Sequence, residues 1–202
     1  MVTFSKALPR RAAEIEKIAR EILEKFCPEK LNTILPIDAE SYFEDHLEED
    51  LGIRARYKIL PEGLDGLTDA GKMRCYISES LASYEENEVQ RRRFRATIAH
   101  ELGHCYLHIG PARKDSRLQQ VFTDVASEPE HFVDVSKLKR YEDPEWQAWR
   151  FASAFLMPEP CFRLAVERNW TIKKMKLGFD VNPSFVEVRL KELKIPKSVR
   201  RG

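Results

Sequence analysis

Between Phe94 and Ile109 two sets of residues recur at helical spacing. Phe94, Ile98, Leu102, Cys105 and Ile109 form one apolar stripe, while His100, Glu101, His104 and His108 occupy a different sector. A helix that is apolar on one side and crowded with partner-seeking polar groups on another belongs near the middle of a fold. With 3.6 residues per turn, i and i+4 lie on one side, so the imidazoles of His100 and His104 can reach one metal ion. Glu101 projects at a neighbouring angle, where a carboxylate can take a proton from a water that the metal activates. His-Glu-x-x-His is the zinc-peptidase signature, two ligands and a general base in five residues. The chain has only five histidines in 202 residues, which makes a surface helix with scattered histidines the poorer reading.

Such a site wants a third protein ligand and an open position for water. In the metzincin arrangement a histidine stands six residues after the second histidine and a glycine three after it. Those positions are Gly110 and Leu107 here, so that arrangement is absent. His108 continues the i, i+4, i+8 row but lies ~12 Å along the axis from His100, at 1.5 Å per residue. One tetrahedral ion cannot hold all three, and His108 is read as a supporting or packing group. Glu145 is the stronger candidate, because it shares a helix side with the small residues Ala148 and Ala152. An inward carboxylate needs a positive charge or a metal. The alternatives are that Glu145 only complements a helix N-terminus, or that Glu142 is the ligand.

The remaining chain reads as a mainly helical α+β protein, with a small mixed or antiparallel sheet packed against the active-site helix. Pro9 to Phe26 is an amphipathic helix closed by Cys27-Pro28. Asp38 caps a second helix that Gly52 ends, and Ile53 to Leu60 alternates like a strand. Gly63, Gly66 and Gly71 punctuate a loop or hairpin before a strand at Lys72 to Ser78. Ser83-x-x-Glu86 resembles a capping box for the long helix, and Gly110-Pro111 its end. Residues 112–143 are weakly periodic and charged, a long loop or lid with at most one short element. Asp143-Pro144 starts a new helix. Another follows Met157-Pro158-Glu159-Pro160 through Arg168, and Ser184 to Leu193 is the last.

The expected organisation is a single domain over residues 1–202, with its core at about 10–195. The net charge of +1 gives no global electrostatic case for nucleic acid or membrane. No run approaches the ~20 apolar residues of a membrane helix. The charged N-terminus lacks the apolar centre of a signal peptide. Cys27, Cys75, Cys105 and Cys161 form no Cys-x-x-Cys pair, which fits reduced, buried thiols in a cytoplasm. Cys105 adjoins His104, but a ~100° turn per residue aims it away from the metal face.

Two blocks together carry a family resemblance. His100-Glu-Leu-Gly-His104-Cys-Tyr-Leu-His108, followed by Glu145-x-x-Ala148-x-x-Phe151-Ala152-x-x-Phe155-Leu156-Met157-Pro158, resembles the ImmA/IrrE metallopeptidases over roughly residues 10 to 195. Phe94-x-x-x-Ile98-Ala99 leading into the first histidine also fits. The resemblance implies that Glu145 is the third ligand, completing a gluzincin-like His-His-Glu site for one zinc ion, or another divalent metal. It also implies a cytoplasmic regulator whose protein substrate is a helix-turn-helix repressor or an antitoxin-type partner. Two departures stand out. Trp149 occupies a position where the family usually has Asn or Asp, able to steer a ligating histidine through its second nitrogen. The segment between the blocks is also long.

These readings converge on a zinc-dependent endopeptidase in which Glu101 is the base and His100, His104 and Glu145 hold the metal. Tyr76, Tyr106 and His131 are unranked candidates for a transition-state donor. The Lys72–Ser78 strand, if at the sheet edge, would pair with an extended substrate. The competing reading is a metal-containing regulator that acts by contact with a protein or DNA. Its features are Arg91-Arg92-Arg93-Phe94-Arg95 and the basic stretch Lys194 to Arg201, although such runs are usually solvated faces. A purely structural zinc fits badly, because structural sites are closed and rich in cysteine.

Overall fold

The computed structural model describes residues 7–84, 87–114, 121–125 and 139–196. Helix α1 (Ala12–Phe26) buries Ile15, Ala19, Ile22 and Leu23, the stripe expected from its spacing. Asp38 accepts a hydrogen bond from the Ser41 amide and opens α2 (Ala39–Ser41). The chain continues through a π-helical turn, Tyr42–His46, into α3 (Leu47–Leu51). Gly52 ends it with a left-handed φ of 65°, a conformation glycine adopts without strain.

Strands β1 (Arg54–Lys58), β2 (Leu64–Asp69), β3 (Arg74–Ser78) and β4 (Val121–Val125) form a mixed sheet among the described residues, in the order β1-β3-β2-β4. β1 runs parallel to β3, while β2 is antiparallel to both β3 and β4. The glycine-punctuated segment therefore holds a strand as well as turns. β3 is interior, flanked on both sides, and has no free edge for a substrate strand. That expectation from the sequence is corrected.

A short helix, α4 (Glu79–Ala82), leads to the long α5 (Glu88–Lys114). The cap of α5 is Asn87, whose side-chain oxygen accepts from the amides of Val89 and Gln90. Glu86 of the expected capping box lies outside the described residues. α5 does not stop at Gly110-Pro111 but runs to Lys114. A proline gives up one backbone hydrogen bond, and the helix continues past it.

α6 (Pro144–Leu156) begins where Asp143 accepts from the Glu145 and Trp146 amides at 2.9 and 3.3 Å. It is followed by α7 (Glu159–Glu167), α8 (Ile172–Phe179) and α9 (Pro183–Glu192). Of these only α8 was not foreseen.

α5 and α6 cross backbone to backbone. A Cβ built on Gly103 would stand 2.9 Å from both Cα and O of Ala148, so only a glycine against a small residue permits this approach. α6 is tied to α1 and α9 by ions. Arg150 and the fully buried Arg189 both bond Glu16, and Arg150 also reaches Glu192 at 3.1 Å. Each buried charge here is paired, as burial demands. Phe94, Ile98, Leu102, Phe151, Phe155 and Ile77 join the central apolar core between these helices and the sheet.

Candidate metal centre

The close crossing at Gly103 and Ala148 decides what meets above it. His100 and His104 flank Gly103 along α5, and Glu145 stands one turn before Ala148 on α6. Their donor atoms converge. The two Nε2 atoms are 2.9 Å apart, His100 Nε2 is 3.2 Å from Glu145 Oε2, and His104 Nε2 is 3.3 Å from Glu145 Oε1. With arms of ~2.0–2.1 Å to zinc, a tetrahedral site has donor–donor edges of roughly 3.3–3.4 Å. The three atoms are spaced for one such ion, and the His, His, carboxylate set suits it. Both imidazoles are fully buried, whereas the Glu145 side chain is 35% exposed at the mouth. Burial by itself raises the Glu145 carboxyl pKa, but the neighbouring imidazoles of His104 and His100 outweigh it. The group is held well below the usual carboxylate range, as an anion ready to ligate.

Glu101, also fully buried, points to the sheet side of the helix. Thr68 on β2 donates its hydroxyl to Glu101 Oε2 at 2.6 Å. A Cβ at Gly66 would lie 2.6 Å from Glu101 Oε1, so the glycine leaves the room that the carboxylate occupies. From the sequence Gly66 reads only as turn punctuation, and Thr68 carries no signal of this role.

The surroundings of the two histidines differ. His104 Nδ1 lies 3.0 Å from His108 Nδ1, and His108 Nε2 lies 3.1 Å from Gln147 Oε1. Burial, then the neighbouring His104, pushes the His108 pKa well below its ordinary value. His100 instead packs its ring against Trp149, centroids 4.3 Å apart. Its Nδ1 is buried without a hydrogen-bond partner among the described residues.

Other sequence candidates fall elsewhere. Glu142 is buried in a turn before α6 and is not one of the three converging groups. Tyr106 is bonded to Asp50 and Tyr42, Tyr76 on β3 accepts from Arg74, and His131 lies outside the described residues. All four cysteines are buried and free, and Cys105 faces Thr68 rather than the histidine pair.

The profile of a peptidase family described as IrrE N-terminal-like domain (Peptidase M78) matches residues 48–191. The chain belongs to this family. The matched segment contains every residue of the His-Glu-x-x-His motif and Glu145, and a metallopeptidase family implies the metal for which these donors are spaced. The fold is also similar to that of a solved Mycobacterium tuberculosis transcriptional regulator, with a TM-score of 0.57 at 16% identity. That match covers 93% of this chain and 49% of the regulator, so the chain spans about half its length, and the likeness is one of fold. No curated protein matches the chain significantly.

Each arginine of the run is paired with an oxygen of the fold. Arg91 and Arg92 bond Asp180 Oδ1 at 2.8 and 3.0 Å, Arg92 also bonds Glu88, and Arg95 reaches the carbonyl oxygens of Asp180 and Ile37. Arg93 pairs with Asp65. These contacts join α5 to the end of α8, to the stretch before α2 and to the start of β2. Among the described residues, no helix is long and apolar enough to cross a membrane.

Proposed function

We propose that this chain is a zinc-dependent endopeptidase of the cytoplasm that cleaves a regulatory protein, such as a helix-turn-helix repressor. The observation that carries the reading is the convergence of His100, His104 and Glu145 from two helices, beside a buried Glu101, within a peptidase family. His100 and His104 would hold zinc through Nε2 and Glu145 through its carboxylate. Zinc in such a set supplies Lewis acidity toward a peptide carbonyl and toward water. Glu101 is the general base, taking a proton on its carboxylate and returning it to the leaving amine. Thr68 keeps that carboxylate oriented, since its hydroxyl has the Oε2 atom as a fixed acceptor. The described elements from α1 to α9 are read as one domain; of the 112–143 segment expected to be a loop or lid, residues 115–120 and 126–138 lie outside the described residues and Val121–Val125 is strand β4.

The likeness to a regulator of twice this length keeps a second reading in view, in which the chain acts by contact with a protein. Contact with DNA loses support, because each arginine of the run is already paired with an oxygen of the fold. Glu101→Gln separates the two readings. The variant is expected to retain its metal while cleavage of a co-encoded regulator falls by about 10²–10⁴-fold, the usual worth of a positioned proton-transfer group. Undiminished cleavage removes Glu101 from the mechanism, and undiminished regulation without cleavage favours the contact reading.

A further inference from the structure

We infer that Gln147 and His108 are positioning residues that fix the tautomer of His104, through a hydrogen-bonded chain anchored on the segment ahead of α1. The inference rests on the metal reading above and deepens it. Gln147 Nε2 lies 2.9 Å from the Leu8 carbonyl oxygen and 2.8 Å from that of Tyr141. Carbonyls only accept, so both amide protons are committed and Gln147 Oε1 must be the atom facing His108. An amide oxygen also only accepts. His108 Nε2, 3.1 Å away, therefore carries a proton. The His108 ring is buried, where a charge is costly, so it carries only the Nε2 proton; its Nδ1 is bare, and the His104 Nδ1 3.0 Å from it must donate. The proton of His104 is thereby held on Nδ1, and its Nε2 turns a lone pair toward Glu145 and His100.

Two backbone carbonyls thus determine, three side chains away, which nitrogen of His104 is free to ligate. One of them belongs to a segment remote in sequence. Ala7 N donates to Glu142 O at 3.0 Å and Arg10 N to Tyr141 O at 2.9 Å. Residues 7–10 are laced by these bonds onto the turn that leads into Glu145, so one short ladder supports both the His104 chain and the Glu145 helix start. His100 has no equivalent among the described residues.

The test uses the full chain, with zinc as the probe. Two-bond proton–nitrogen correlation spectra of the metal-free protein report the His104 tautomer, and competition with a chelator reports zinc affinity. In the wild type the proton is expected on Nδ1. His108→Phe keeps a ring but removes the acceptor, and Gln147→Leu removes the orienting amide. Each should scramble the tautomer and weaken zinc by about 10–100-fold, the range for groups behind a ligating histidine. His108→Asn restores an acceptor for His104 and should hold the tautomer, with affinity within about threefold of wild type on the same scale. A His104 tautomer and affinity unchanged in both His108→Phe and Gln147→Leu overturn the inference, as does His108→Asn behaving like His108→Phe. If His108→Phe does not fold, Gln147→Leu and His108→Asn decide by the same criteria. A wild type that binds no zinc defeats the metal reading instead, and the tautomer spectra still judge the chain of hydrogen bonds.

Discussion

His100 and His104 belong to one helix, share one face and meet the same carboxylate, yet the protein treats them differently. Behind His104 runs a polar chain ending on backbone carbonyls. Behind His100 stands the face of Trp149, with Nδ1 buried and without a hydrogen-bond partner among the described residues. Helical spacing determines which imidazoles can approach an ion. It does not determine what holds each ring in place, because those groups come from other elements. The lesson is that the two halves of the motif should respond unequally to changes around them.

The harshest way to break the comparison is to disturb both histidines at once. Gly103→Ala would put a methyl 2.9 Å from the Ala148 backbone, forcing α5 and α6 apart between the ligands. Overpacking of this kind costs about 1–3 kcal/mol, and Glu145 would move away from both rings. Thermal unfolding and zinc content should fall together. A folded variant with undiminished zinc would show that the close crossing does not set the site.

A gentler change should even out the two sides. Trp149→Asn offers His100 Nδ1 a hydrogen-bond acceptor, the arrangement that the family resemblance implies. Zinc affinity is expected to rise by up to about tenfold, the low end of what such partners contribute. The variant gives up the ring contacts of Trp149 with His100 and Phe185, so chelator competition should be read beside a melting curve. Affinity that stays level or falls would mean that Trp149 already positions His100 by packing alone.

The smallest expected effect comes from pH, on the His104 side. His108 has its folded pKa lowered below its ordinary value, first by burial and then by His104. A depressed base binds fewer protons in the folded state than in the unfolded one. Its stabilising contribution is therefore complete above the ordinary histidine pKa of about 6.5 and declines as pH falls below that value, by at most ~1.4 kcal/mol per pH unit for one proton. Metal-free wild type should lose stability between pH 7 and 5 more steeply than His108→Asn, as denaturant titrations would show. Parallel slopes would remove His108 from the pH dependence.

Much of this was legible in the sequence where local signals and burial agree. The stripe from Phe94 to Ile109 marked α5, and Asp143-Pro144 marked the start of α6, because capping and periodicity are local properties. The convergence of His100, His104 and Glu145 was legible because both motif blocks are short and helical. β2 was obscured by Gly66, which looks like a turn residue until Glu101 is seen in the place its side chain would take. α8 left a readable trace, since the Thr171 hydroxyl accepts from the Lys174 amide and Met175 and Phe179 are buried four residues apart. The interior place of β3 was not legible, because β4 comes from a segment of weak periodicity and pairs with β2 across a long stretch of chain. Gln147 left no trace either. Its role depends on Leu8, 139 residues away in sequence, and no local pattern carries that contact.

In the proposed centre Glu145 closes a site that His100 and His104 begin. Elemental analysis of zinc-replete wild type beside Glu145→Ala tests this most directly. One zinc per wild-type chain, lost from the variant while its fold persists, is the predicted result. Equal zinc in the two proteins, or none in either, would contradict it.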